Sequence, residues 1–588
     1  MRRLATTTLL LAFATATALG APRGTRELTA VLATNPVQAE NELPGTTAWD
    51  GPPSPPNAID AYASEVSVRP GQAIHLHVAT DPAASYRVEV YRLGWYGGTG
   101  GRLIACLPAC NRSRQGVVQP NPGPDSGSGL LQLDWPVTDT IRAGRNWVSG
   151  YYYVNVVLTS GDAPGTSRHV PVIVLAPRNR PSEILAQASV NTWQAYNAWG
   201  GMSLYTKPGT LEGSHVSFDR PYDLVHQGPA WWELSSVHFL ERHGYDVSYT
   251  TDVDTDRDPG SLLRHALVMT LGHDEYWTHV MRDAFEAARD AGTNLAFIGA
   301  NTGYWQIRYE DGRRDLVEYR HPDLDPEPDP ASKTTTFREL TPPRPECTLL
   351  GVAYGQLGDS NDFTVNADAL GDPWFKGTGF TPGSTLHGLV GYEWDGTQPG
   401  CDVPPLTVFF HSEHENGHPP VEGQIWNADS ARYTATSGAR VFSASSFQFS
   451  WGLDPLQERY DQRLDRFMRN ALDDLTRPAA PTAVTTAPRP RGVLVAVPRP
   501  TQVQVNGIVA FRHPGPAAVG PGARGTVRIA LPGCTAFVDR PGRGVFRYTV
   551  AYTNRWRPSI SRLGAEVRST RSPATTATRS WTCIRPFP

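Results

Sequence analysis

Hydrophobic and polar residues follow two different periods along this chain. Between residues 61 and 178 they alternate in short runs at 74–78, 86–91 and 151–158, which are separated by turn sequences. Alternation with a period of two is typical of strands that bury one face. A series of such strands at short spacing predicts an N-terminal β-sandwich over residues 61–178.

From residue 182 the pattern changes to apolar runs that alternate with amphipathic segments. The apolar runs predict strands at 184–186, 247–250, 266–271 and 294–298. The amphipathic segments predict helices at 234–243 and 280–291. Strands that alternate with helices form a parallel sheet covered on both faces. We therefore expect a layered α/β domain over 179–476, of the kind found in amidotransferases and flavodoxins. Residues 351–449 show fewer helix signals and are expected to hold insertions and late strands, before a closing helix at 458–475.

The two ends of the chain have other compositions. Residues 1–20 combine Arg2 and Arg3 with a short apolar core and small residues, which predicts a signal peptide cleaved near Gly20 and a secreted protein. Residues 21–60 are irregular. A linker rich in Pro, Ala and Thr at 477–491 precedes a small all-β module at 492–588. The predicted fold class is therefore multidomain, α/β plus β.

Net charge and cysteine content bear on the partners and the disulfides of the protein. The 588 residues carry a formal net charge of −4 without a long basic block, which argues against nucleic acid or an anionic membrane as the main partner. An exported protein with six cysteines is expected to form disulfides. Proximity in the sequence favours Cys106–Cys110, Cys347–Cys401 and Cys534–Cys583.

Polar residues follow three of the predicted strands of the α/β domain. His273, Asp274 and Glu275 come after the run at 266–271, an aromatic and polar segment at 189–201 follows the first strand, and Asn301 follows the strand at 294–298. Ligands of open α/β sheets bind beyond the carboxyl ends of the strands, so we expect a cleft there. The alternative is that the acidic residues cap the helix that begins near Thr278.

Other polar clusters favour chemistry less strongly. The segment from His411 to His418 is expected to be a solvated loop rather than a zinc site, because no helix places two histidines on one face. Residues 252–258 carry alternating aspartates without the glycine and glutamate of a calcium loop, so a polar turn is expected. Glu393 and Asp395 could form the carboxylate pair of a glycosidase.

Four segments resemble a known family. They are WQAYNAWGG at 193–201, LGHDEYW at 271–277, IGAN at 298–301 and SSFQFSWGL at 445–453. In this order they resemble the large (β) subunit of N,N-dimethylformamidase, and the similarity extends from the sandwich to about residue 475. The resemblance implies hydrolysis of a small amide, with formate and dimethylamine as the products of the family reaction. It also implies a mononuclear iron bound by two tyrosines and one glutamate.

The resemblance assigns the ligands of that iron residue by residue. Glu275 resembles the glutamate ligand and Tyr196 one tyrosine ligand. The second tyrosine is expected within 151–153, where Tyr152 is favoured by the Gly-x-Tyr pattern. Phenolate and carboxylate are hard oxygen donors, which suits ferric iron.

The remaining candidates are catalytic residues and partners. His273 resembles the nearby histidine that moves a proton, and Glu275, Asn197 and Asn301 complete the candidate set. A small partner subunit or a homo-oligomer is expected from the family. Two other functions stay open: a secreted polysaccharide-active or glycan-binding protein, and a family member that binds a ligand without turnover.

Overall fold

The computed structural model describes residues 35–478, except 206–212, 224–227 and 422, and beyond them the backbone of six strands. The predicted signal peptide and most of the predicted linker lie outside the described residues and stay predictions. Within the described ranges, no helix is long and apolar enough to span a bilayer.

The N-terminal strands form two facing sheets. The strands are β1 (Asp60–Ala63), β2 (Ser67–Val68), β3 (Ala73–Ala79), β4 (Ser85–Leu93), β5 (Gly101–Leu107), β6 (Arg114–Gln115), β7 (Asp139–Arg142), β8 (Gly150–Leu158) and β9 (Ser167–Val174). One sheet has the order β1-β3-β7, and the other has the order β2-β9-β8-β4-β5 with β6 beside β4. A single apolar core lies between them.

Strand β8 is buried on both faces, and its side chains alternate between two cores. Tyr152, Val154 and Val156 point into the sandwich. Tyr151 and Tyr153 belong to the core of the α/β region. This alternation follows from the two-residue period of a strand.

The central sheet has nine strands in the order β12-β10-β13-β15-β22-β21-β20-β18-β19. The strands of this sheet are β10 (Ile184–Ala188), β12 (Val247–Thr251), β13 (Leu267–Leu271), β15 (Asn294–Ile298), β18 (Ala353–Val365), β19 (Thr385–Gly396), β20 (Thr407–His414), β21 (Trp426–Thr434) and β22 (Arg440–Ser443). The pairs from β12 to β22 are parallel, whereas β21, β20, β18 and β19 pair antiparallel. The sheet is therefore mixed, and the late strands extend the predicted parallel sheet.

Helices cover both faces of the parallel half. The helices of the described chain are α1 (Pro36–Asn41), α2 (Val190–Tyr196), α3 (Pro229–Trp232), α4 (Leu234–Arg242), α5 (Asp252–Arg257), α6 (His279–Ala291), α7 (Cys347–Leu350) and α8 (Gln462–Leu475). One face of the sheet packs on α4 and α8. The other face packs on α6, through Met281, Phe285 and Ala288.

A second, smaller sheet lies beside α2. It consists of β11 (His215–Ser217), β14 (Tyr276–Thr278), β16 (Trp305–Glu310) and β17 (Asp315–Val317), in the order β11-β17-β16-β14. Strand β14 directly follows Glu275, so this sheet fixes the chain just after the candidate His-x-Glu pair.

Two local expectations were wrong. The aspartates at 252–258 form the buried helix α5 with Thr251 as its N-cap, rather than a polar turn. His411 and His414 lie on strand β20 instead of in a loop, and His411 Nδ1 is 2.6 Å from Asp429 Oδ1 on the neighbouring strand. The segment that contains His411 and His414 is a strand because it pairs with distant parts of the chain, and a local sequence pattern cannot predict such pairing.

A buried ion pair joins the sandwich to the α/β region. Arg92 on β4 donates two hydrogen bonds to Glu241 on α4, at 2.9 and 2.7 Å, and both side chains are fully buried. Tyr249 also donates to Glu241, at 3.0 Å, and Asn41 on α1 donates at 2.7 Å. Both carboxylate oxygens of Glu241 thus accept hydrogen bonds, which helps a buried charge to be tolerated.

Two of the three predicted disulfides are present. Cys106 is joined to Cys110 and Cys347 to Cys401. The C-terminal strands are β23 (Gln502–Gln504), β24 (Arg524–Leu531), β25 (Cys534–Pro541), β26 (Thr549–Asn554), β27 (Arg557–Leu563) and β28 (Thr578–Cys583). The register of β25 and β28 sets Cys534 opposite Cys583, but their side chains lie outside the described residues, so that disulfide stays a prediction.

Candidate functional site

The candidate site lies where the parallel strands β10, β13 and β15 end. Two glycines let the ends of β13 and β15 approach each other: a Cβ on Gly299 would lie 1.8 Å from the carbonyl oxygen of Gly272. Gly272 itself has a φ of +63°, a backbone conformation that favours glycine. The close approach brings the segment after each strand to one cleft.

His273, Asp274 and Glu275 do not cap the following helix. The N-cap of α6 is Thr278, whose side chain accepts from the backbone N–H of Met281. The backbone N–H of Glu275 instead donates to Thr192 on α2, at 3.1 Å. Helix capping is therefore not the reason for the acidic residues at this strand end.

Two phenols and one carboxylate converge in the cleft. The Tyr196 hydroxyl lies 3.0 Å from Glu275 Oε2, and the Tyr205 hydroxyl lies 3.3 Å from Glu275 Oε1. The two hydroxyls are 3.1 Å apart, and their rings stack with centroids 4.3 Å apart. The Tyr205 hydroxyl also contacts the hydroxyl of Tyr276 on β14. Three hard oxygen donors thus face a common point.

A histidine and further carboxylates adjoin these oxygens. His273 Nε2 is 2.9 Å from Glu275 Oε2 and 3.8 Å from Glu393 Oε2. Asn301 donates through its side chain to Glu393, at 2.8 Å, and through its backbone N–H to Asp395, also at 2.8 Å. Asn301 has a φ of +51°, which this residue type adopts more readily than most. Its Oδ1 is buried and accepts no hydrogen bond from the described residues.

Burial shifts the pKa of the groups in the cleft. It opposes the positive charge of His273, but Glu275 and Glu393 outweigh it and raise the pKa of the imidazole. Burial raises the pKa of Glu393 to about 8 and that of Asp395 to about 7. Burial and the charge of Glu275 raise the pKa of Tyr196 and Tyr205 well above the usual phenol value. Proton-holding groups therefore lie beside Glu275, as acid–base chemistry near neutral pH requires.

A buried arginine holds the loop that carries both phenols. Arg220 donates to the backbone carbonyls of Gln194 on α2 and of three residues after that helix, Asn197, Trp199 and Met202. Burial lowers the pKa of Arg220 to about 10, so the side chain keeps its charge at neutral pH. The loop between Tyr196 and Tyr205 is consequently fixed from inside.

A match to a known protein family identifies the family of the chain. Residues 87–462 match the family model described as N,N-dimethylformamidase beta subunit-like, C-terminal. The chain belongs to this family. No curated protein matches the chain. The matched residues include the sandwich strands from β4 onward and every side chain of the cleft named above.

Two of the candidate site residues do not reach the cleft. Tyr152 points into the sandwich, where its hydroxyl donates to the carbonyl of Val148 at 2.8 Å and its ring stacks on Trp147. Asn197 holds its own loop, donating to Gln194 and to the carbonyl of Pro221, both at 2.9 Å. The expectations that Tyr152 completes the ligand set and that Asn197 is catalytic are therefore corrected.

The structure also brings in residues that the sequence did not single out for this site. Tyr205, nine positions after Tyr196, brings a second phenol to Glu275, whereas the second tyrosine was expected within 151–153. Glu393, considered above as part of a glycosidase pair, faces His273 across the cleft. The Glu-x-Asp pattern at 393–395 was the available signal, but nothing in it named His273 as the neighbour.

The residues present fit the iron that the family implies. Two phenols and a carboxylate are the hard donors that ferric iron prefers, and they meet at one point. Among the described residues, no group of three or more His, Cys, Asp and Glu is arranged to hold a metal ion. A metal in this cleft would accordingly depend on the two phenol oxygens as well as on Glu275.

Proposed function

We propose that the protein is a secreted, metal-dependent hydrolase of small amide C–N bonds. The observation that carries this proposal is the convergence of Tyr196, Tyr205 and Glu275 beside His273. Membership of the dimethylformamidase beta subunit-like family supports it. The word "subunit" in the family description fits a partner subunit, which we include in the proposal.

Tyr196, Tyr205 and Glu275 would hold a mononuclear ferric ion, with Tyr205 in place of Tyr152. When bound, such an ion supplies Lewis acidity that polarises the carbonyl of an amide, which is otherwise a poor electrophile. The two phenols must lose their protons to serve as ligands, and a bound cation offsets the unfavourable charge.

His273 is the group that moves a proton in this proposal. Its imidazole lies between Glu275 and Glu393, so it can take a proton from an attacking water and pass it to the leaving amine. Glu393 holds a proton near neutral pH because burial raises its pKa to about 8. It can therefore donate a hydrogen bond beside His273, while the imidazole itself ends each turnover with the protons it began with.

Asn301 holds the two carboxyl groups of Glu393 and Asp395 in the cleft. Its side-chain N–H holds Glu393 and its backbone N–H holds Asp395, which leaves the buried Oδ1 to accept from the departing amine. Phe447 covers the imidazole, with the ring centroids of His273 and Phe447 4.2 Å apart. Phe447 is fully buried and restricts water on that side.

The test is metal analysis of the purified chain together with an amide hydrolysis assay. We expect about one iron per chain, a visible phenolate-to-iron absorption band, and release of amine from formamide-type substrates. Removing iron with a chelator should abolish both the band and the activity, and adding ferric iron back should restore them. A folded protein that takes up no iron and releases no amine would refute the proposal. Binding of a polysaccharide by that iron-free protein would then favour the glycan alternative.

A further inference from the structure

Tyr205 is the least buried of the three proposed ligands, with 36% of its surface exposed. Its ring is nevertheless held on two sides. The Tyr196 ring stacks at 4.3 Å with an interplanar angle of 17°, and the guanidinium carbon of Arg320 lies 4.1 Å from the Tyr205 ring centroid. Two groups at this distance from one centroid cannot share a face of the ring, so Tyr196 and Arg320 lie on opposite faces. The result is a three-layer stack of phenol, phenol and guanidinium.

Arg320 is itself fixed in place. Its Nε lies 3.4 Å from Oε2 of the buried Glu318, and its carbonyl oxygen accepts from Thr335 at 2.9 Å. The guanidinium carbon also lies 5.7 Å from the ring centroid of Trp305. The backbone of Arg320 has a φ of +65°, which is uncommon for a residue other than glycine. The side chain is thus aimed at the Tyr205 ring by contacts on several elements.

We propose that Arg320 is a positioning residue for the candidate metal centre, which holds the Tyr205 ring so that its hydroxyl stays at Glu275. The inference rests on the proposed function. A cation over the face of a tyrosine ring is attracted by the ring's π electrons, and the attraction grows when the ring becomes electron-rich. The contact therefore favours the orientation and the electronic state in which Tyr205 serves as a ligand.

The charge of Arg320 also gives the proposal a spectroscopic signature. A positive charge at the ring lowers the energy of the phenolate π electrons, so it raises the energy of the phenolate-to-iron absorption. Removing the charge should move that band to longer wavelength. A purely structural role would change the amount of iron bound but leave the band of the remaining iron where it was.

The experiment compares Arg320→Met and Arg320→Lys with the unaltered full chain, loaded with ferric iron. Arg320→Met should weaken iron binding about 2- to 30-fold, the range expected for loss of one cation–π contact. It should also shift the band to longer wavelength. Arg320→Lys keeps the charge but loses the planar stack. Its iron affinity and the wavelength of its band should therefore lie between those of the unaltered chain and those of Arg320→Met.

Arg338→Met is the matched control. The guanidinium carbon of Arg338 lies 5.1 Å from the ring centroid of Tyr304, and Arg338 pairs with the buried Glu346. The substitution removes the same kind of contact from a tyrosine outside the proposed ligand set. We expect unaltered iron affinity and an unaltered band.

Each outcome separates the inference from the proposed function. If the unaltered chain shows the iron band but folded Arg320→Met has the same band and affinity, the inference is overturned and the proposed function stands. Should Arg320→Met not fold, the same result in folded Arg320→Lys overturns it. If Arg338→Met shifts the band as far as Arg320→Met, the effect is not specific to Tyr205 and the inference fails. An unaltered chain that binds no iron overturns both.

Discussion

Glu233 and Glu275 are two of the buried glutamates that accept hydrogen bonds from tyrosines, and they differ in what surrounds the carboxyl group. At the first, Tyr151 donates to Glu233, and Trp193 Nε1 donates to the same carboxyl at 2.8 Å. At the second, Tyr196 and Tyr205 both reach Glu275, and His273 lies at 2.9 Å. Both glutamates are almost completely buried.

The difference shows what distinguishes a structural carboxyl from a candidate functional one. Glu233 is served by one phenol and one indole, and burial raises its pKa to about 8, so it is stable as a neutral acid. Glu275 is surrounded by two phenols, an imidazole and a second carboxyl, an arrangement rich in oxygen donors. The second site also opens to solvent at Tyr205, whereas Tyr151 is fully buried. Burial of a tyrosine–glutamate pair is therefore not sufficient to mark a site.

The largest expected effect separates the two glutamates directly. Glu275→Gln removes an anionic donor, so iron should be lost and amide hydrolysis should fall below detection. Glu233→Gln keeps a neutral hydrogen-bonding group of the same shape, so iron content and rate should stay near those of the unaltered chain. The measurements are the iron content and the amidase rate of both variants. Equal iron in both variants would show that Glu275 is not a ligand.

Substitution of the histidine should produce a smaller change of a different kind. His273→Ala should keep the iron and its absorption band while turnover falls by roughly 10²–10⁴-fold, the usual contribution of general acid–base catalysis. The readouts are iron per chain and the rate of amine release. Full rate in the iron-loaded variant would exclude His273 from proton transfer.

The next effect in size is on the pH dependence of stability, which should differ between the unaltered chain and Glu233→Gln. The folded pKa of Glu233, about 8, lies above its ordinary value of 4.5, so the folded state holds the proton more tightly. This stabilisation is fully present below about pH 4.5 and is lost as the pH rises through 8. The free energy of unfolding should therefore fall more between pH 5 and 8.5 in the unaltered chain than in Glu233→Gln, by a difference on the order of a few kcal/mol.

Denaturant unfolding of both proteins at the two pH values measures that difference. The other buried acids titrate in both proteins and cancel in the comparison. Parallel pH profiles would mean that Glu233 does not hold its proton in the folded state.

The smallest effect is expected at the tyrosine that the sequence favoured. Tyr152→Phe removes one hydrogen bond, to the Val148 carbonyl, and should cost about 0.5–1.5 kcal/mol of stability. Iron content and rate should not change, whereas Tyr205→Phe should lose iron. Iron loss in a stable Tyr152→Phe variant would contradict the placement of Tyr152 in the sandwich core.

Local patterns predicted the parallel half of the central sheet and the strand ends that line the cleft. The parallel strands and the helices between them follow from apolar periodicity, and the convergence of Tyr196 with Glu275 follows from strand ends that meet at one edge of a sheet. The strand from Asn294 to Ile298 was predicted with the observed bounds.

The remaining parts depend on facts that no local pattern contains. Whether Tyr151 or Tyr152 faces the α/β region depends on the register of β8, since neighbouring side chains point to opposite faces. Glu393 lies on β19, and the bridge between Trp394 and Ser446 joins that strand to the segment after β22, close to the cleft. That pairing joins residues far apart in the sequence, and its register is set by the whole sheet.

The ion pair between Arg92 and Glu241 bears on how the protein can be dissected. A fragment that begins after the sandwich would contain Glu241 but not its cation, and a fragment that ends there would contain Arg92 without its anion. Within the intact chain, loss of either partner alone leaves an uncompensated buried charge, at a penalty of about 3–5 kcal/mol, comparable with the net stability of a small domain. Either fragment would expose the surface that the missing part covers. The sandwich and the α/β region therefore share one buried interface, and shortened versions of the protein should keep both.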